Sequence, residues 1–185
     1  MQSLDLPEDL PVPIDDGAAA HLTGMRIPSV SLTATDGERH DLAALTGRTV
    51  LYIYPMTGRP DRALPDGWDA IPGARGCTPQ SCAFRDHHAE LQALEARVFG
   101  VSSQTSDYQR EARDRLHLPF ELLSDSDFQL RDALRLPTFD DAGELLYRRL
   151  TLILIDNRVE HVFYPVFPPN ENAEQVMDWL RSNAA

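Results

Sequence analysis

Two cysteines are the whole thiol complement of this 185-residue chain, and they stand five positions apart in Gly76-Cys77-Thr78-Pro79-Gln80-Ser81-Cys82-Ala83-Phe84-Arg85-Asp86. Pro79 suits a first helical turn, where its missing N–H costs nothing. Phe84, His88, Leu91 and Leu94 then recur at helical spacing, which predicts a helix over about 78–96. A thiol at the start of a helix feels the positive end of the backbone dipole and a set of unpaired N–H donors. Both favour the thiolate, the nucleophilic form. The pair therefore reads as a reactive thiol and its partner. His87-His88 invites a metal-site reading as well, but helical ligands need spacings of three or four, and Cys82, His87 and His88 supply no second close pair, so no metal is expected.

Composition narrows the classes open to such a thiol. With 42% hydrophobic and 25% charged residues, the chain suits one ordinary domain with a single sizeable core. No apolar run approaches the roughly 18 residues of a membrane helix, and the start, Met1 to Asp9, lacks the basic and apolar stretches of a signal peptide. The expectation is a cytoplasmic protein without a membrane partner. Seventeen basic against 29 acidic residues give a formal charge of −12, which disfavours binding a phosphate backbone, so nucleic acid is not an expected partner. In a reducing cytoplasm a permanent disulfide is uncommon, and a close cysteine pair is more often catalytic, redox-sensing or metal-binding.

The elements that must hold the thiols follow from pattern. Residues 1–26 carry Pro7, Pro11 and Pro13 with little periodicity and read as an N-terminal extension; the domain proper is expected over 27–185. Ser29 to Ala34 alternates like a half-exposed strand, and Asp41 to Leu45 suits a short helix. Thr49-Val50-Leu51-Tyr52-Ile53-Tyr54 is almost wholly apolar, as a central strand covered on both faces must be, and Pro55 ends it. From Met56 to Gly76 turn formers surround Trp68, which predicts a long insertion at about 56–76. Val98 to Ser103 reads as a second buried strand, followed by a helix capped by Ser106 or Asp107 and reaching Leu116. Pro119 to Asp125 leads into a short helix near Phe128 to Leu134. Leu146 to Ile155 and Val159 to Tyr164 predict a hairpin about Asp156-Asn157-Arg158, and Asn172 to Arg181 a last helix with Val176, Trp179 and Leu180 inward. This order makes an α/β fold, a central mixed β-sheet flanked by helices on both faces, in the thioredoxin-like arrangement.

At this level the match becomes specific. Gly76-Cys77-Thr78-x-Gln80-x-Cys82-x-Phe84-Arg85-Asp86, after an apolar strand ending Tyr54-Pro55, resembles the peroxiredoxins of the AhpC/TSA thioredoxin-like superfamily. Among them it is most similar to the Q type, also called bacterioferritin comigratory protein. Phe99-Gly100-Val101-Ser102, Phe120 to Asp125, and Arg149 ahead of Leu152 to Asp156 stand in the matching order, so the resemblance covers roughly residues 27–181.

The resemblance implies a thiol peroxidase that reduces hydrogen peroxide or organic hydroperoxides. Cys77 matches the peroxidatic cysteine, which becomes a sulfenic acid, and Cys82 the resolving cysteine, which condenses with it to an intramolecular disulfide. A thioredoxin- or glutaredoxin-like donor returns both to thiols, and no metal, flavin or haem is required. The family arginine falls on Arg149, with Arg148 the close alternative, and backbone N–H groups around Gly76 and Cys77 supply further donors. Relatives of this type are monomers or homodimers. Five residues along an ideal helix put two Cα atoms roughly 8.7 Å apart, whereas a disulfide needs them within about 7 Å. Joining the cysteines thus implies local unwinding.

Two family positions differ. The family proline and threonine, seven and three residues before the peroxidatic cysteine, are Ala70 and Ala74 in this chain. The proline corresponds to Pro55 by order or Pro72 by proximity. Thr57 replaces the missing hydroxyl if the insertion folds back, and Trp68 forms a wall for a bulkier hydroperoxide. The rival reading of the same residues is a thioredoxin-fold redox sensor or interaction module without peroxide turnover.

Overall fold

Val50, Leu51, Tyr52 and Ile53 leave no position suited to water, and the fold accordingly covers this strand from both sides. The computed structural model describes residues 6–183, so the reading of the first five residues lies outside the described residues. The strands are β1 (Ser31–Ala34), β2 (Arg39–Asp41), β3 (Arg48–Ile53), β4 (Ala96–Ser102), β5 (Leu122–Ser124), β6 (Thr138–Asp141), β7 (Glu144–Tyr147), β8 (Leu150–Ile155) and β9 (Arg158–Phe163). Seven of them form one sheet in the order β2-β1-β5-β4-β3-β8-β9, while β6 and β7 pair separately. β3 runs parallel to β4, and β4 to β5; the flanking strands are antiparallel. The helices are α1 (Cys77–Asp86), α2 (His88–Ala93), α3 (Ser106–Leu116), α4 (Gln129–Leu134) and α5 (Asn172–Ser182). This is the thioredoxin-like α/β architecture.

Alternation along β3 divides the core in two. Val50 and Tyr52 face α1, α2 and α5 through Phe84, Leu91, Val176 and Leu180. Leu51 and Ile53 face the other side, which α4 closes with Leu130 and Leu134. Both cysteines belong to the first of these clusters. Phe84 stacks on Tyr52 with ring centroids 4.7 Å apart, and the Tyr52 hydroxyl lies 3.0 Å from Ser81 Oγ, so the middle of α1 is pinned to β3. Gly100 makes this possible, because a Cβ there would stand 2.6 Å from the Tyr52 ring and 2.6 Å from Leu122.

Several boundaries differ from the sequence expectation. The single helix over 78–96 is two, interrupted at His87, and it stops early because Glu95 takes a left-handed φ of 57° and Ala96 already pairs with Arg48 in the sheet. Tertiary pairing overrides the helical propensity of Leu94 and Glu95 there. Thr105, rather than Ser106 or Asp107, caps α3 by accepting from the Tyr108 N–H. Trp179 is half-buried and packs against the core cluster that holds Val176, Met177 and Leu180. Leu146 belongs to the separate β6–β7 hairpin, turned by Ala142-Gly143 with both residues at positive φ. The chain therefore jogs between Tyr147 and Leu150, and Arg148 and Arg149 occupy the jog.

Residues described in the extension are packed against the domain. Ala19 and Leu22 enter the core, and the Gly24 N–H donates to Val159. The insertion also has a centre of its own: Trp68, 3% exposed, packs with Ala74 and Leu146 and against Met56, Ile71 and Phe139. Trp68 is thus a core residue bonding the insertion to the β6–β7 hairpin, and the expected substrate wall is corrected accordingly.

Candidate active site

Cys77 is the first residue of α1, and Gly76 precedes it at φ 107°, in the left-handed region that favours glycine. A Cβ on Gly76 would stand 2.3 Å from Pro169 Cγ, so both conformation and space demand glycine at this helix start. The sulfur is buried, only 4% of the residue being exposed.

Arg149 meets that sulfur from the jog before β8, its Nη2 3.1 Å from Cys77 Sγ. The rest of its guanidinium is held in a fork of neutral acceptors. Nε donates to the Gly73 carbonyl at 3.2 Å, Nη2 to the carbonyls of Ala74 at 2.9 Å and Arg75 at 3.2 Å, and Nη1 to Gln80 Oε1 at 2.5 Å. A side chain as buried as this normally pairs its charge with a carboxylate. Each described partner of Arg149 is instead a carbonyl, an amide or the thiol. The positive charge thus faces the Cys77 sulfur with no described carboxylate beside it, at the N-terminal end of α1.

A second layer fixes Gln80. Its Nε2 donates to Asn172 Oδ1 at 3.0 Å, an oxygen that also accepts from Thr151 Oγ1 at 2.7 Å, and all three residues are fully buried. α1, β8 and α5 are thus tied to one another through the residue that orients Arg149. Gln80 stands in the quoted motif without a role, and the signal that could have found it is its spacing of three from Cys77, which places both toward one side of a helix. Asn172 and Thr151 carry no comparable local signal. Gln80→Glu would set a carboxylate against Arg149 and compete with the thiolate for its charge. We expect iodoacetamide to react with Cys77 about tenfold more slowly at neutral pH in that variant, with an unchanged far-UV spectrum; an equal or faster rate would refute the charge argument.

Cys82 lies farther along the same unbroken helix, 4% exposed, among apolar neighbours. Burial pushes its thiol up, only partly offset by Arg85. Both cysteines are free thiols, separated by regular helix.

The remaining expected residues fall as follows. Arg148 is not on the sulfur; it lines a small neighbouring pocket with Tyr164 and Phe139. Pro55 is buried at the end of β3. The Thr57 N–H and Oγ1 both donate to Gln104 Oε1, at 2.9 and 3.2 Å, so the hydroxyl proton is engaged on the loop after β4, and among the described residues no hydrogen bond joins Thr57 to Cys77. The insertion folds back through Trp68 rather than through Thr57. At Ala74 the backbone does the work instead, its carbonyl accepting from Arg149 and facing the Cys77 thiol at 3.7 Å.

Comparison with known proteins fits this geometry. The family model described as Redoxin matches residues 22–177. Peroxiredoxin Bcp of Escherichia coli is 30% identical over 166 residues, covering 85% of this chain and 94% of that protein. The chloroplastic peroxiredoxin Q of Oryza sativa subsp. japonica is 28% identical over 160 residues, 86% of this chain and 66% of that one; the chain spans about two thirds of the length of that relative. Among solved structures, peroxidoxin BcpB from Mycobacterium tuberculosis superposes with a TM-score of 0.72 at 23% identity, covering 88% of this chain and 98% of that one. The bacterioferritin comigratory protein of Xanthomonas campestris gives 0.68 at 20% identity over 96% of this chain and 100% of its own. Among the described residues no helix is long and apolar enough to cross a membrane. With a Redoxin match over most of its length and a thiol at the head of α1 held by a buried arginine, this chain belongs to the Redoxin family, among the Q-type peroxiredoxins.

Proposed function

We propose that the chain is a thiol peroxidase in which Cys77 is the nucleophile, Cys82 the resolving thiol and Arg149 the charge that activates the first and stabilises the leaving oxygen. The observation that carries this reading is the uncompensated Arg149 guanidinium 3.1 Å from a sulfur at a helix start. The thiolate attacks the terminal peroxide oxygen, the O–O bond breaks, and the sulfur leaves as sulfenic acid while the other oxygen departs as alkoxide or hydroxide and takes a proton. Arg149 and the free N–H groups at the start of α1 face the charge that moves from sulfur to oxygen, so they act where the transition state needs them. Cys82, kept as a thiol by its burial, then condenses with the sulfenic acid and releases water. A thioredoxin- or glutaredoxin-like dithiol returns both cysteines to the reduced state.

Both hydrogen peroxide and organic hydroperoxides fit this chemistry. The related Xanthomonas campestris protein reduces alkyl peroxides, which supports the second class. In a reducing cytoplasm a close cysteine pair is more often catalytic than structural, which supports placing the chain there, as a monomer or homodimer.

Steady-state peroxide consumption with a thioredoxin system tests the reading. The wild type is expected to consume both peroxide classes, and Cys82→Ser to complete one turnover and accumulate a sulfenic acid that dimedone traps. A wild type that consumes no peroxide above background, yet oxidises to the disulfide when other oxidants are supplied, would replace the peroxidase with a redox sensor.

A further inference from the structure

Residues 6–14 run across the loop that delivers Cys77. Leu6 Cδ2 and Pro169 Cγ lie 3.0 and 2.3 Å from where a Cβ would stand on Gly76, so this segment and the turn that opens α5 together cover that face of the glycine. Farther along, Pro13 Cβ and Cγ lie 3.5 Å from the corresponding point on Gly73, whose carbonyl holds Arg149. Leu6, Leu10 and Pro13 are half-buried while Val12 and Ile14 point outward and are exposed. The segment is therefore held on its inner face alone. Its far end is fixed: Tyr164 donates to Asp16 at 2.9 Å, Ala19 and Leu22 sit in the core, and Gly24 bonds to Val159. One end is bolted and the other rests on the residues just before the nucleophile.

The helix makes this placement consequential. With Cys77 and Cys82 in one unbroken helix, their Cα atoms are held roughly 8.7 Å apart by helix geometry, and a disulfide requires about 7 Å or less. The middle of α1 is pinned by Phe84 and Ser81 on Tyr52, so the turn that must open is the first, from Gly76 onward. A movement of Gly76 toward its covered face requires Leu6 and Pro169 to yield, and Leu6 belongs to the segment held on one side only.

We propose that residues 6–14 form a strap that must lift before Cys77 and Cys82 can join, and that it thereby sets the rate of disulfide formation. The inference rests on the reading of Cys82 as the resolving thiol. Once Cys77 is a sulfenic acid, two reactions compete. Condensation with the Cys82 thiol gives the disulfide and water; a second hydroperoxide gives the sulfinic acid and an alcohol or water. Because the first needs the helix open and the second does not, a tight strap diverts oxidised protein toward the sulfinic acid. Opening is a local equilibrium, so the observed rate of resolution scales with the population of the open form.

Leu6→Ala, which touches neither thiol nor Arg149, tests this in rapid-mixing single turnovers. Losing three half-buried carbon atoms should raise resolution about fivefold, leave the peroxide step unchanged, and lower the sulfinic fraction seen by mass spectrometry at high peroxide. The Gln80 amide, bonded to the Gly76 carbonyl at 3.0 Å, should exchange faster by a similar factor in the reduced protein. Leu6→Ala with Pro13→Ala should extend both changes. Resolution at the wild-type rate in both variants, or slower, would overturn the strap. A wild type that reduces peroxide yet never joins Cys77 to Cys82 would overturn the resolving role itself, and the strap with it.

Discussion

Cys77→Ser is expected to abolish peroxide consumption, by more than about a thousandfold in kcat/KM, because a hydroxyl in the same place is not ionised at neutral pH and oxygen is the poorer nucleophile toward a peroxide bond. The substitution is nearly isosteric, so Phe84, Gln80 and Arg149 keep their places around this buried position. The folded protein should therefore melt close to the wild type, which separates lost chemistry from lost structure. Assays with both peroxide classes and with excess reductant check this, since no amount of donor restores a missing nucleophile. Residual turnover above about one percent of wild type would move the nucleophile elsewhere and overturn the assignment.

Arg149→Leu is expected to lower kcat/KM by about a thousandfold, the loss of a charged donor aimed at both the attacking sulfur and the leaving oxygen. Part of that change would be structural. Removing the guanidinium takes the charged donor from the buried Ala74 carbonyl and Gln80 Oε1, each a cost of about 1–3 kcal/mol where water does not take over, and from the half-buried carbonyls of Gly73 and Arg75, which water reaches more easily. Arg149→Lys separates the two contributions. A single ammonium restores a charge near the sulfur but cannot reproduce a planar fork with five described acceptors, so a partial recovery, to about a hundredfold below wild type, is expected in the peroxide rate. Iodoacetamide reactivity of Cys77 should follow the same order, wild type above Lys above Leu. Equal rates for Lys and Leu would mean that the charge does not act on the sulfur.

Much of this arrangement was legible in the chain. The apolar run in β3, the proline in the first turn of α1 and the spacing of Phe84, His88 and Leu91 are short-range signals, and they alone put Cys77 at a helix start. What escaped was long-range or balanced between near-equal choices. The helix over 78–96 stops short because Ala96 is claimed by β3. Ala74 leaves a hydroxyl wanting in the sequence, and the bond of Thr57 to Gln104, 47 residues away, has no local signal. The burial of Trp68 is equally non-local, because its partners Leu146 and Phe139 come from a hairpin that no local pattern isolates from the strand that follows.

The sequence by itself determined that two thiols stand five residues apart with the first at a helix start, since a glycine and a first-turn proline act through neighbours in the chain; the kind of chemistry followed from the family resemblance of that segment. Only the tertiary structure decided between Arg148 and Arg149. Those side chains differ by one position, and which one reaches a sulfur 72 residues earlier depends on β7 ending at Tyr147 and β8 beginning at Leu150. It also decided that the guanidinium is held by carbonyls and Gln80 with Nη2 on the Cys77 sulfur, because that depends on three separate elements meeting in one buried place.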